Sequence, residues 1–293
     1  MNFIKKWYTY QKERFPILIF GIYVMCIVIG VFGFVNFYTP NREREINYII
    51  IIPMIIVTFL QFLMIRIVDE FKDYEEDCKY RPYRPVPRGL IKPKELKILF
   101  IICALLQIIV TVFATENRIK SIIYLLIMWI FFAIMSKGFF IKKFLEKHIL
   151  LEVLLDEIMM PLMVLYLSSF MKIGLNKDIW KILILSYIIS WIVEIARKIR
   201  AKQQEEKGVK TYTAIFGIPK AITILIILET LLAIVQYMIL GVNQIVLIIL
   251  TYAIINIINI LFVIKKDKTF AKMVEISANI YIILVYLSML LMI

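Results

Sequence analysis

The stretch from residue 46 to residue 77 reads INYIIIIPMIIVTFLQFLMIRIVDEFKDYEED, and its two halves differ in character. The first 20 residues, 46–65, carry no charged side chain. Crossing the hydrocarbon core of a bilayer takes roughly 20 predominantly apolar residues. The acidic half begins where such a helix leaves the membrane. The stretch therefore predicts a transmembrane helix that runs into a charged loop.

Long apolar blocks recur along the whole chain. Of its 293 residues, 62% are apolar, whereas soluble proteins are about 45–50% apolar. The pattern predicts an all-α integral membrane bundle, a single domain over residues 1–293 with nine transmembrane helices. These helices are predicted at residues 16–38, 46–71, 95–114, 119–137, 149–170, 179–199, 218–240, 243–264 and 270–293. A soluble fold is excluded because a domain of this size cannot bury nine such helices.

Lysine and arginine are concentrated in alternate connections between the predicted helices. The N-terminal arm and every second connection hold 26 of the 35 basic residues. Because such segments stay on the cytoplasmic side, the N-terminus is predicted to be cytoplasmic and the C-terminus external, in the plasma membrane of a prokaryote. The net charge of +13 then serves orientation and contact with the lipid bilayer, and nucleic acid is not an expected partner.

The number and spacing of the cysteine and histidine residues exclude several classes of site. Cys26, Cys78 and Cys103 are far apart, and His148 is the only histidine. This spacing fits neither a disulfide framework nor a zinc site. Catalysis by histidine and a haem held by two histidines are not expected either.

Three aspartates in the acidic half are spaced four residues apart. If the helix continues, Asp69, Asp73 and Asp77 share one face. Carboxylates stacked in this way repel one another, and a cation relieves the repulsion. Hard oxygen ligands suit Mg²⁺, which also bridges to substrate phosphates. The spacing predicts a magnesium site, with a solvated helix end of mixed charge as the alternative.

Arginines alternate with prolines directly after the aspartates. Residues 81–89 read RPYRPVPRG, and proline restricts the backbone, which predicts a stiff, extended arm. Arginine side chains bind phosphate oxygens well. Arg84 and Arg88 are therefore predicted to contact a phosphate close to the metal.

The run Asp69-Glu70-x-x-Asp73-x-x-x-Asp77, followed by RPxRPVPRG, resembles the first signature of the UbiA superfamily of intramembrane prenyltransferases. That signature usually begins with Asn-Asp, so Asp69 and Glu70 are departures that keep oxygen ligands. The resemblance extends over essentially the whole chain. It implies a central cavity, catalytic loops near residues 69–94 and 194–217, and Mg²⁺ as the cofactor, bound by Asp69, Glu70, Asp73 and Asp77.

The second family signature is only partly present. Residues 208–211 read GVKT and Gly217 follows, but Arg200 and Gln204 occupy the positions where the family has aspartate. Glu194, Arg197 and Lys198 lie at the end of the predicted sixth helix. Glu194 is a predicted metal ligand, and Arg197 and Lys198 are predicted to bind the diphosphate, so that cations partly replace a second metal site. A solvated loop of drifted sequence is the alternative.

Two acidic residues lie about two turns into the predicted fifth helix. Ionisable groups at membrane depth usually face a cavity, and Asp156, next to Glu157, is the predicted catalytic residue, as a base or a cation-stabilising group. Helix–helix hydrogen bonding is the alternative. Lys142 and Lys143 lie near the start of this helix, where the family has a basic residue that contacts the diphosphate.

The expected activity is Mg²⁺-dependent ionisation of an isoprenyl diphosphate, followed by transfer of the prenyl group to a lipophilic acceptor. A UbiA-type terpene cyclase acting on a linear isoprenyl diphosphate is the alternative within the family. A membrane transporter is a remote alternative, because the apolar blocks are poor in the glycine and proline that interrupt transporter helices.

Overall fold

The computed structural model describes residues 2–39, 47–115, 117–145, 147–171, 177–206 and 209–292, and all the regular structure in these ranges is helical. The helices are α1 (Phe3–Arg14), α2 (Ile17–Phe37), α3 (Ile51–Lys72), α4 (Tyr74–Tyr80), α5 (Pro93–Ala114), α6 (Arg118–Ser136), α7 (Lys142–Leu145), α8 (Ile149–Asp156), α9 (Met159–Ser168), α10 (Ile179–Arg197), α11 (Tyr212–Phe216), α12 (Ile218–Leu240), α13 (Ile245–Lys265) and α14 (Lys268–Ser288). Within the described ranges, eight helices are long and apolar enough to cross a membrane: α2, α3, α5, α6, α10, α12, α13 and α14.

The predicted fifth transmembrane helix is interrupted, so the count of nine single helices is not confirmed. The prediction ran from 149 to 170, but α8 ends at Asp156 and α9 begins at Met159. Proline removes one helical hydrogen bond, and its ring clashes with the carbonyl four residues earlier. For Pro161 that carbonyl belongs to Glu157, which lies in the gap between α8 and α9.

The long helices and the α8–α9 pair form a closed ring. Contacts run in chain order from α2 through α3, α5, α6, α9, α10, α12 and α13 to α14, which packs against α2. Contacts of α9 with α2 and of α10 with α14 cross the middle of the ring. Apolar side chains on the outer faces, such as Leu18, Phe113 and Val246, are mostly exposed. Such faces are suited to lipid, and the chain is a helical membrane bundle.

Two glycines allow the close contact between α2 and α14. A Cβ atom at Gly33 would lie 2.8 Å from the carbonyl oxygen of Met289, and one at Gly30 would lie 2.6 Å from the Tyr286 ring. Small residues let membrane helices approach closely. These glycines therefore form the seam between the first and last spans.

Several polar side chains inside the bundle join neighbouring helices. The Asn259 amide donates to Glu229 at 2.8 Å, and the Gln236 amide donates to Ser288 at 3.1 Å. These pairs connect α12 to α13 and to the end of α14.

Candidate active site

A kink at Asp73 separates the carboxylates of the first signature. Helix α3 ends at Lys72 and α4 begins at Tyr74, while Asp73 between them has φ −97° and ψ 2°. Asp69 lies close enough to Asp73 for their charges to interact. Asp77 is instead buried against arginine side chains. The expectation that all three aspartates share one continuous helical face is therefore corrected.

Asp77 binds three arginines. Arg84 donates to both of its carboxylate oxygens at 2.8 and 2.6 Å, and Arg81 donates to one of them at 3.2 Å. A guanidinium nitrogen of Arg14 lies 3.9 Å away. Because Asp77 is only 2% exposed, these guanidinium groups compensate a charge that burial would otherwise make costly.

Glu70 is the second buried carboxylate. It accepts from Arg14 at 2.5 Å and from Arg66 at 3.0 Å. We call the set of Arg14, Arg66, Arg81 and Arg84 with Glu70 and Asp77 the arginine clamp. The sequence assigned Glu70 and Asp77 to a metal, but here Glu70 Oε1 and both carboxylate oxygens of Asp77 bond arginine.

The proline-rich arm is folded into successive turns, which corrects the expectation of an extended arm. Backbone bonds run from Arg84 N–H to the Arg81 carbonyl and from Arg88 N–H to the Arg84 carbonyl, both at 3.0 Å. The fixed φ of proline suits the second position of a turn as well as an extended chain. The Arg88 side chain donates to Glu13 at 2.8 and 3.0 Å, and thus connects the arm to α1.

A second group of charged residues surrounds Asp69 at the same end of the bundle. We call it the mouth; its members are Asp69, Lys72, Asp73, Glu152, Asp156, Glu157, Glu194, Arg197 and Lys198. Within it, Lys72 Nζ lies 3.5 Å from Asp156 and 3.7 Å from Glu152. This lysine connects the end of α3 to α8.

The end of α10 brings residues of the second loop to the mouth. Glu194 forms ion pairs with Arg197 and, at 2.6 Å, with Lys198. Asp69 lies close enough to Glu194 and Arg197 for charge interaction. The two loops that the sequence singled out therefore meet at one site.

The break between α8 and α9 lies against α10. The Glu157 carbonyl accepts from the Ser190 hydroxyl at 3.5 Å, and the Leu154 carbonyl accepts from the Tyr187 hydroxyl at 2.7 Å. Hydroxyl groups of α10 thus partner carbonyls close to the break. The interruption leaves Asp156 and Glu157 at the mouth.

An apolar cavity of about 190 Å³ lies between α3, α5 and α6. Its walls are Met64, Val68, Phe100, Ala104, Trp129, Phe132, Ala133 and Ser136. Val68 directly precedes Asp69. Helix α3 therefore contributes both to the charged mouth and to the wall of the apolar cavity.

Comparison with protein families agrees with this geometry. A model described as the UbiA prenyltransferase family matches residues 41–283. The chain belongs to the UbiA prenyltransferase family. As a UbiA protein, it is a multi-pass integral membrane protein of the prenyltransferase class.

Two solved structures share the UbiA fold. One is of a digeranylgeranylglyceryl phosphate synthase, which aligns with a TM-score of 0.60 at 18% identity over 98% of both chains. The other is a UbiA homologue from Aeropyrum pernix K1 without ligand, which aligns with a TM-score of 0.63 at 10% identity over 92% of this chain and 97% of its own. Comparison with curated protein sequences finds no match.

The second loop of this UbiA protein is held by its own side chains. Glu205 accepts from the hydroxyl of Thr211 at 2.7 and 2.6 Å and from that of Thr213 at 2.9 Å. Gly208, part of the family motif, lies outside the described residues. Tyr212, next to Thr211, is fully buried, and burial followed by the neighbouring carboxylates, Glu194 first, raises its pKa.

Sequence reasoning missed three basic residues of the UbiA site. Arg66 pairs with Glu70 at i,i+4, a spacing that predicts an ion pair and could have revealed it. Lys72 lies within the signature itself. Arg14 gave no signal, because its partners are distant in sequence.

The two lysines predicted to contact the diphosphate lie on α7. Lys142 and Lys143 are both exposed. Among the described residues, neither forms an ion pair with the mouth or with the arginine clamp.

Proposed function

We propose that the chain ionises an isoprenyl diphosphate at the mouth and transfers the prenyl group to a lipophilic acceptor. The observation that supports this most directly is the surroundings of Asp69, whose charge interacts with those of Asp73 and Arg197, close to the ion pairs that Lys72 forms with Asp156 and Glu152. Carboxylates suited to a metal thus lie together with cations suited to a diphosphate, at the end of a helix that also lines an apolar cavity. Prenyl transfer requires such a combination.

The donor set at the mouth fits Mg²⁺. This ion is usually held by one or two carboxylates together with waters and substrate phosphates. Asp69 and Asp73 would be those carboxylates, and no group of three carboxylate, cysteine or histidine side chains suited to a metal occurs in the described residues. When bound, Mg²⁺ would offset the charge that develops on the leaving diphosphate.

The cations of the mouth would bind the diphosphate. The side chains of Arg197 and Lys198 are 55% and 35% exposed, so both are accessible to a ligand. Glu194 pairs with both and holds them on one turn of α10. The role of Glu194 as a metal ligand stays a prediction.

The arm offers further cationic groups. Arg84 and Arg88 have guanidinium N–H groups beyond those that bind Asp77 and Glu13. Contacts of Arg84, Arg88, Lys142 and Lys143 with the diphosphate stay predictions.

The bond that breaks joins the allylic carbon to the diphosphate oxygen, and the electron pair leaves with the diphosphate. The acceptor then forms a bond to the allylic carbon and loses a proton. Asp156 is the proposed base. Its ion pair with Lys72 stabilises the charged carboxylate, which is the form that accepts a proton.

The apolar cavity would hold part of the isoprenoid chain. Benzene fits an apolar cavity of roughly 150 Å³, so one or two isoprene units suit the cavity between α3, α5 and α6. Trp129 and Phe132 in its wall would offer aromatic ring faces, which attract a cation.

Activity assays test this function directly. Purified protein in nanodiscs is incubated with isoprenyl diphosphates of several chain lengths, with Mg²⁺ or with excess chelator, and with or without phenolic acceptors. We expect Mg²⁺-dependent, acceptor-dependent pyrophosphate release and a prenylated product by mass spectrometry. A cyclic hydrocarbon formed without acceptor would contradict transfer, and no pyrophosphate release under any condition would contradict ionisation.

The mouth is proposed to face the cytoplasm, and Cys78 reports on this. It is exposed, whereas Cys26 and Cys103 are buried. A membrane-impermeant maleimide added to right-side-out vesicles should leave Cys78 unlabelled until the vesicles are opened. Cys78→Ser is the control for labelling elsewhere. Rapid labelling in sealed right-side-out vesicles would reverse the orientation.

A further inference from the structure

Arg14 contacts a carboxylate on each side of the kink in the first signature. Its guanidinium group binds Glu70, three residues before Asp73, at 2.5 Å, and lies 3.9 Å from Asp77, four residues after it. Glu70 belongs to α3 and Asp77 to α4. One side chain from outside the signature therefore connects the two helices that flank Asp73.

The helix that carries Arg14 is anchored at three further places. Lys6 pairs with Glu95 at the start of α5 at 2.5 Å, and Glu13 pairs with Arg88 of the arm at 2.8 Å. Tyr10 is buried in an apolar cluster with Ile67, Val86, Ile91 and Leu96. These contacts fix α1 against α3, α5 and the arm, so the position of Arg14 is well determined.

The partners of Arg14 make this contact sensitive to substitution. Glu70 is 2% exposed, and apart from Arg14 it pairs with Arg66, which also lies 3.7 Å from Asp69. Without Arg14, Glu70 would compete with Asp69 for Arg66, and Asp77 would rely on the arm alone. The first change acts on Asp69 directly, and the second acts on α4, the helix that follows Asp73.

We propose that Arg14 is a positioning residue, which fixes the angle between α3 and α4 and thereby holds Asp69 and Asp73 in the geometry that binds a divalent cation. The proposal rests on the proposed function, because it assigns the metal to Asp69 and Asp73. It makes α1, a helix outside the signature loops, part of the active-site framework. Residues that orient metal ligands typically change metal affinity or activity about 10- to 100-fold when they are replaced.

The test compares Arg14→Gln with Arg14→Lys and with Lys12→Gln, which alters an exposed residue of the same helix. Pyrophosphate release is measured over a range of Mg²⁺ concentrations. We expect Arg14→Gln to raise the half-saturating Mg²⁺ concentration at least tenfold, in line with lost support of metal ligands. Arg14→Lys, which keeps the charge but lacks the planar fork, should lie between Arg14→Gln and the wild type. Lys12→Gln should match the wild type.

Hydrogen exchange gives a readout that does not depend on activity. In detergent or nanodiscs, backbone amides of residues 73–80 should exchange at least tenfold faster in Arg14→Gln than in Lys12→Gln. The reason is that α4 loses the side-chain contact through Arg14 that holds it against α3. An unchanged Mg²⁺ response with unchanged exchange would overturn the proposal. If Arg14→Gln does not fold, a wild-type response of Arg14→Lys in both measurements overturns it as well. If the wild type releases no pyrophosphate, the proposed function fails, while the exchange experiment still decides whether Arg14 holds the kink.

Discussion

The acidic signature contains two pairs of carboxylates with different surroundings. Asp69 and Asp73 are partly exposed and lie at the mouth, whereas Glu70 and Asp77 are buried in the arginine clamp. All four are encoded within nine residues. The comparison shows that one short segment holds both partly exposed carboxylates, which are proposed to bind the metal, and buried carboxylates that are paired with arginine.

Burial explains why the two pairs differ. A buried carboxylate must be paired, because its desolvation costs several kcal/mol, and arginine supplies both charge and hydrogen bonds. A partly exposed carboxylate needs no fixed partner and can exchange water for a ligand. The mouth pair is therefore available for binding, and the clamp pair stabilises the loop.

The largest effect is expected from Asp73→Asn at the mouth. Loss of a metal-binding carboxylate removes several kcal/mol of transition-state stabilisation, a decrease in kcat/KM of about a thousandfold. Thermal stability should stay close to that of the wild type, because Asp73 is partly exposed. The matched control is Glu76→Gln, on the exposed side of α4. Turnover of Asp73→Asn within a few-fold of the control would remove Asp73 from the site.

Asp77→Asn should separate the clamp pair from the mouth pair. The asparagine leaves Arg84 without its counter-charge and leaves Arg81 with only Glu206, 3.9 Å away, and breaking a buried pair costs roughly 3–5 kcal/mol. We expect a clear drop in melting temperature, with a loss of activity about 10- to 100-fold that follows displacement of Asp73. Equal melting temperatures for Asp77→Asn and Asp73→Asn would contradict the assignment of a stabilising role to the clamp pair alone.

Glu194→Gln tests the part of the mouth that α10 contributes. Removing one partner of a charge-assisted bond costs about 1.5–3 kcal/mol, so loosening Arg197 and Lys198 should raise the KM for the isoprenyl diphosphate about tenfold. Steady-state kinetics at saturating Mg²⁺ measure this. A hundredfold loss of kcat with unchanged KM would instead favour the metal role that the sequence predicted for Glu194.

The smallest effect is expected from Glu205→Gln in the second loop. Glu205 belongs to neither pair and accepts from Thr211 and Thr213. A glutamine oxygen can still accept one of these bonds, so the loss is limited to about 1 kcal/mol of local stability. The kcat/KM value should stay within about threefold of the wild type. A loss as large as that of Asp73→Asn would place a metal ligand in the second loop.

Hydrophobic length predicted most of the fold, since eight of the nine spans occur as single helices. The break at residues 157–158 needed the local effect of Pro161, which a count of apolar residues does not contain. At the site, the residue types in both loops were recognised. Their division into mouth and clamp was not, because spacing at i,i+4 assumes a straight helix, and one partner of the clamp carboxylates is distant in sequence. Arg14, 56 positions from Glu70, is the clearest case.

The glycine seam between α2 and α14 also bears on biosynthesis. Chains are made from the N-terminus at roughly 5–20 residues per second, so α2 enters the membrane long before its partner exists. Until the last helix is inserted, Gly30 and Gly33 present bare backbone with no protein against it. The ring can therefore close only after α14 has been inserted, and a nascent chain that stops before α14 leaves the bundle open on that side.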